Sequence, residues 1–225
     1  MTLEGTNTYV VGRDSAWVVD PGPDDSGHLD AVRAEAEGRG GIGGVVLTHS
    51  HADHSAGVPG LGVEPDSAGD GEGVGPFTVL ATPGHAPDHV CLLLDRTCFT
   101  GDLILGQGSS YVPPDGGSLA AYIKSLERLR EIDLELLLPG HGPPVDDPAT
   151  KIAEYIEHRL DRERKLLAAL ADGERSRDRL LDAAWDDVPP ELRGAAAQVM
   201  QAHLEKLEAD GGLPDDLANP ADLSD

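Results

Sequence analysis

The sequence predicts an α/β protein: a layered domain of strands with interleaved helices, followed by a smaller, mostly helical unit. Two observations carry that expectation. From residue 6 to 144, short β-rich runs are separated by glycine and proline and interrupted by two amphipathic stretches, the pattern of stacked sheet and helix layers. After residue 148 the apolar period becomes helical, so the units are drawn as 1–148 and 149–225.

Strands are expected over 8–11, 16–20, 44–48, 77–82, 90–94, 97–100 and 135–139. The first helix covers 27–37, with Gly38 as the residue that ends it. The second covers 119–131 behind Ser118 as N-cap, with Leu119, Tyr122, Ile123, Leu126 and Leu129 on one face. Asp147-Pro148 is a cap and first-turn pair that opens a helix to 170, striped by Ile152, Ile156, Leu160, Leu167 and Leu170. Helices over 176–185 and 194–210 follow, then an acidic tail expected to fray. Residues 57–76 hold seven glycines and no sustained period, so they read as a flexible loop, either a substrate lid or a trimmed surface connection. Residues 106–116 are a second candidate wall of a pocket.

The 17 basic and 41 acidic residues leave a net charge of −24, which repels polyanions and excludes duplex DNA as an expected partner. No apolar run reaches the roughly 18 residues a membrane span needs. The first residues lack the basic and apolar regions of a secretion signal, so a cytoplasmic protein is expected. Cys91 and Cys98 flank a hairpin turning at Asp95-Arg96, with Leu94 opposite Thr97 and Leu93 opposite Cys98, so the two are read as buried reduced thiols.

Chemistry concentrates in four segments. THSHADHSAG puts His49, His51, Asp53 and His54 within six positions where a strand gives way to a helix. TPGH brings His85, FTGD brings Asp102 and PGHG brings His141, each at a strand end. Imidazoles and carboxylates are zinc ligand types, and open α/β sheets build their sites at strand ends.

The order HxHxDH, TPGH, GD, PGHG resembles the metallo-β-lactamase superfamily. TNTYVV…DPG, GDLILG, LLPGHGP and a following helix with HRLDRE make the resemblance closest to its glyoxalase-II-like branch and the β-lactamase-like-protein-two family, from Leu3 to about Leu207. The resemblance implies an αββα sandwich with a winged-helix-like C-terminal domain and two zinc ions per chain, manganese or iron being alternatives. It implies His49, His51 and His85 on the first ion, Asp53, His54 and His141 on the second, and Asp102 between them. Asp20, in VVDPG, would hold a ligand histidine by its free ring N–H. Such a pair supplies hydroxide near neutral pH from a bridging water, with Asp53 available to orient it or relay a proton.

The expected activity is therefore hydrolysis of a small acyl ester or thioester. The alternatives are endoribonucleolytic cleavage of short single-stranded RNA, which the family resemblance implies, and a non-catalytic binding or regulatory role with a structural metal. His89 is a candidate to flank the pocket; His158, beside Arg159 and Arg162, to pack the domains or reach substrate. His28 and His203 read as surface or core residues. Residues 151–225 carry ten basic and eighteen acidic side chains, so a cap over the site or a homodimer contact is expected of them rather than DNA binding, their mixed charges forming a solvated face.

Overall fold

The computed structural model describes residues 5–217 and 219–224; the opening residues of the resembling stretch, Leu3 and Glu4, lie outside them. Two sheets face each other. The first has the order β1 (Tyr9–Val11), β2 (Ala16–Val19), β3 (Ile42–Val46), β4 (Pro65–Asp66). The second runs β5 (Gly73–Val74), β6 (Phe77–Ala81), β7 (Val90–Leu94), β8 (Thr97–Gly101), β9 (Leu136–Pro139). Val19, Val46, Phe77, Val79, Leu92 and Phe99 fill the space between them. Alternating strand residues point the other way and are covered by helices. On the first sheet, Val18 and Val45 meet Leu29 and Val32 of α1 (Ser26–Glu37). On the second, Leu80, Cys91, Cys98 and Leu137 meet the apolar face of α4 (Leu119–Arg130) and the first turns of α5 (Pro148–Ala171). The result is an αββα sandwich.

Local chemistry accounts for the boundaries. Ser118 accepts from the Ala121 N–H and Asp147 from the Thr150 N–H, capping α4 and α5. The hairpin between β7 and β8 has the expected register, Leu94 opposite Thr97 and Leu93 opposite Cys98, with Asp95 at φ 51° in its turn. Both cysteines are free and buried, and burial pushes the Cys98 thiol up, so it is no nucleophile. β3 begins two residues earlier than expected because Ile42 and Gly43 belong to it. A Cβ on Gly44 would lie 2.6 Å from the Trp17 ring, so the glycine makes room for that indole.

Three expectations are corrected. Residues 57–76 are not a structureless loop: they hold the helical turn α3 (Val58–Leu61), preceded by α2 (Ala52–Ser55), and the edge strands β4 and β5. Gly57, Gly60 and Gly75 serve close approach; a Cβ on Gly60 would lie 2.4 Å from Leu29. Gly38 does end α1, but with right-handed backbone at φ −61° in place of the left-handed turn of a C′ glycine; Gly40 and Gly41, at φ 90° and 92°, reverse the chain. The tail is not frayed where described: Leu217 and Leu223 are buried, and Ser224 bridges Ser176.

The end of α5 packs with α6 (Arg177–Ala184) and α7 (Arg193–Ala209) around Leu166, Leu170, Leu180, Trp185, Met200 and Leu204. This α5 thus contributes to both the sandwich and the C-terminal core. Arg159 and Arg162 do not belong to a solvated face: they are 2% and 3% exposed. Among the described residues no helix is long and apolar enough to cross a membrane.

Candidate metal centre

All four motif segments converge where the two sheets open at one edge. His49 follows β3; His51 caps α2, which carries Asp53 and His54. His85 lies between β6 and β7, Asp102 follows β8, and His141 follows β9. Two triads result, His49/His51/His85 and Asp53/His54/His141, each with one nitrogen or oxygen per residue within 4.8 Å of the others.

In the first triad, His51 Nδ1 lies 3.0 Å from both His49 Nε2 and His85 Nε2. In the second, Asp53 Oδ2 lies 3.3 Å from His141 Nε2 and 3.8 Å from His54 Nε2. Asp102 stands between them: its Oδ2 is 3.5 Å from His85 Nε2, while Oδ1 is 3.4 Å from both His54 Nε2 and His141 Nε2.

The donor set fits divalent cations. His54 Nε2 and Asp102 Oδ1 are buried without a hydrogen-bond partner, and a buried lone pair left unmatched costs free energy that a cation would recover. The backbone is shaped around the same atoms: a Cβ on Gly140 would lie 2.6 Å from the His54 ring and 2.9 Å from Asp102 Oδ1.

A supporting layer fixes four of the five rings. Asp20, at φ 49°, accepts from the Thr48 N–H at 2.7 Å, from the Thr48 hydroxyl at 2.6 Å, and meets His54 Nδ1 at 2.9 Å. That Thr48 oxygen, its proton given to Asp20, faces His49 Nδ1 at 3.0 Å. The Tyr111 carbonyl accepts from His85 Nδ1 at 2.6 Å, and the Gly5 carbonyl from His141 Nδ1 at 2.9 Å. Each of these rings therefore turns its Nε2 into the cluster.

Burial, followed by the neighbouring His89 and His54, drives His49 well below the ordinary imidazole range. Burial also lowers His85, with Asp102 partly opposing it. Burial works against charge on His54 and His141 too, but Asp102 at both, and Asp20 at His54, outweigh it; His54 rises to about 10 and His141 is raised. Asp102 stays far below the carboxylate range despite its burial, held there by His141 and His54.

One pocket expectation changes, that of His89. His89 does not flank an open pocket; it is buried behind Asp102, accepting from the Asp102 N–H through Nε2 at 3.1 Å, with Nδ1 2.8 Å from the Thr82 hydroxyl. His158 is outside the cluster, near Ser109 at the joint with the helical core. A cavity of about 350 Å³ lies beside His49, lined also by Ser50, Asp66, Ala68 and Asp88, so the 57–76 segment supplies part of its wall. Sequence reasoning missed Thr48 and Asn7, whose side chain donates to the Pro139 and Gly142 carbonyls and pins the loop bearing His141. A buried threonine or asparagine has no signature outside its fold. A backbone carbonyl such as that of Tyr111 has none at all.

The metallo-β-lactamase superfamily pattern matches residues 1–66 and 61–141, and the β-lactamase-associated winged helix domain matches 176–217. The chain belongs to the metallo-β-lactamase superfamily. It is 34% identical to the Lactamase-like protein adaB of Aspergillus niger, over 93% of this chain and 77% of that one. It is 32% identical to the Beta-lactamase-like protein 2 homolog of Caenorhabditis elegans, over 93% and 81%. At 32% identity it also resembles the Atrochrysone carboxyl ACP thioesterase of Aspergillus fumigatus, over 93% and 71%. A metallo-beta-lactamase family protein of Thermus thermophilus has the same fold, with a TM-score of 0.75 at 22% identity over 92% of this chain and 89% of that one.

Proposed function

We propose that this chain is a hydrolase of acyl thioesters that works with two divalent cations, zinc as the resident pair. The observation that carries this reading is the position of Asp102, one oxygen turned to each triad and one of them buried without a partner. Two cations there would lower the pKa of a water and polarise the carbonyl under attack.

The chain's own groups do the rest. His49, His51 and His85 would hold one cation, Asp53, His54 and His141 the other, and Asp102 both. Asp20, Thr48 and the Tyr111 and Gly5 carbonyls keep the ring nitrogens aimed inward, so the site needs no rearrangement when the reaction proceeds. Asp53 is the cluster's more exposed carboxylate, its side chain 35% accessible against 13% for Asp102. We assign it to orient the attacking water and to move a proton toward the leaving thiolate.

The thioester preference is supported by the thioesterase among the relatives and by the net charge of −24, which opposes approach of a polyanion. After chelation and restoration of zinc, the chain is expected to hydrolyse a chromogenic acyl thioester and leave single-stranded RNA intact. RNA cleavage without thioester turnover would overturn this reading in favour of an endoribonuclease. A binding protein with a structural metal is the reading left if Asp102→Ala changes no activity.

A further inference from the structure

Beside the cation cluster, where the 109–111 segment meets the C-terminal core, lies a second cavity of about 160 Å³. One side is apolar, formed by Trp185, Leu192 and Val199; the other carries Ser109, His158 and Arg159. A dry pocket of roughly 150 Å³ accepts a single benzene-sized ring. The chemistry of the polar side adds a second requirement on the occupant.

Arg159 is 2% exposed, stacks over the Tyr122 ring at 5.1 Å and bonds to the Ser109 hydroxyl and the Ser110 carbonyl. Its Nε has no hydrogen-bond partner, and among the described residues no acid pairs with it. Arg162, next on the same helix face, differs: Asp187 pairs with it at 2.6 Å. A buried cation without a counter-charge is costly, whereas a planar guanidinium is the group best matched to a carboxylate. Burial, then Arg159 and Arg162, lower His158 to about 4, so it is neutral near pH 7 and the arginine is the charged group on this side.

The cavity and the cluster share a wall. Ser110 donates its hydroxyl proton to the Asp102 carbonyl, and Tyr111, which also lines the cavity, holds His85 through its own carbonyl. We infer that this cavity is a recognition subsite for a ring-sized apolar acyl group bearing a carboxylate, with Arg159 as its anion-binding residue. The identity of the occupant as the acyl part of a thioester rests on the proposed function; the preference for a ring-sized carboxylate does not.

Trp185 lines the cavity and is buried, so its emission reports occupancy independently of turnover. The probe is benzoate, titrated into the full zinc-loaded chain, with benzyl alcohol as its neutral counterpart. The expected result is a saturable change in emission, with benzyl alcohol about tenfold weaker because it leaves the arginine unmatched. Ala195→Leu, which fills the cavity from a half-buried position on α7 away from the cluster, is expected to abolish the change. It should also raise KM for a carboxyl-bearing aryl thioester about tenfold, with turnover of an acetyl thioester unaltered. Arg159→Gln should equalise the two probes.

Equal affinity for benzoate and benzyl alcohol in the native chain, or a response that survives Ala195→Leu, would overturn the inference. So would adenosine monophosphate displacing benzoate at lower concentration than benzoate itself binds, which would mark a nucleotide subsite. If benzoate behaves as expected while no thioester is hydrolysed, the subsite stands and the proposed reaction fails. If thioester is hydrolysed with no emission change, the reaction stands and the subsite fails.

Discussion

The two ligand triads occupy one cluster yet their histidines meet protons in opposite ways. His49 and His85 are pushed by burial toward the neutral imidazole. His54 and His141 are buried too, but the carboxylates of Asp102 and Asp20 hold protons on them. A cation entering the first triad therefore meets free lone pairs on His49 and His85, while one entering the second must displace the proton of His54. The difference lies in the carboxylates: Asp102 Oδ1 is 3.4 Å from both His54 and His141, and Asp20 adds its charge at His54, whereas His49 and His85 are braced by the uncharged Thr48 hydroxyl and Tyr111 carbonyl.

The largest expected effect removes what the triads share. Asp102→Ala should lower kcat/KM for thioester hydrolysis by at least about 10³-fold and reduce metal content, because both cations lose a ligand at once. Elemental analysis beside steady-state rates checks this. Unchanged metal content and rate would mean that the triads act without a bridge.

Asp20→Asn divides the triads. It keeps the shape but removes the charge that orients His54, so affinity at the second triad should fall about 10- to 100-fold. Binding at the first triad should stay near its native value, read by competition with a chromophoric chelator. Equal weakening of both would show that the Thr48 link to His49 couples them, since Thr48 bonds to both Asp20 and His49.

How much of this was legible follows from the kind of signal involved. His49, His51, Asp53, His54, His85, Asp102 and His141 stand in short motifs at strand ends, and the strands themselves announce their period. The hairpin register at Asp95 could be counted from the turn. The role of His89 could not, because whether a histidine four residues after His85 faces the opening or the core depends on the Thr82 hydroxyl opposite it. Residues 57–76 were misjudged because glycine both loosens a chain and permits close packing; only the contact of Gly60 with Leu29 distinguishes the two. Arg159 and Arg162 read as solvated for a similar reason, since nothing in their local sequence shows Tyr122 and Trp185 waiting over them.

Acid separates the triads further. Lowering pH from 8 to 6 adds no proton to His49, whose pKa lies far below that window, whereas His54, near 10, is protonated throughout it before a cation arrives. Each proton displaced costs about tenfold in apparent affinity per pH unit, so the second cation should dissociate first as the medium becomes acidic. Calorimetry in buffers of different ionisation enthalpy should register proton release for the second binding event and little for the first. Equal release by both would remove the distinction.

The smallest effect belongs to His89, which bonds to the Asp102 backbone and packs its ring 5.2 Å from that of His49, and is therefore a positioning residue. Burial, then the charge of His85, lowers it to about 3, against about 6.5 in an unfolded chain. Between those values the unfolded state binds the proton more readily. The stability His89 contributes is thus complete above pH 6.5 and is lost as pH falls toward 3. His89→Gln should lower stability by about 1–3 kcal/mol through the weakened bonds to Thr82 and Asp102, a fall of a few degrees in Tm. It should also flatten the decline in Tm between pH 6 and 4. In the thioester assay the same variant should change kcat less than about tenfold, as a group acting on a backbone N–H would, while leaving both cations bound. A native pH profile retained in the variant would trace the acid sensitivity to a different group, and loss of a cation would move His89 from support of the bridge to support of a triad.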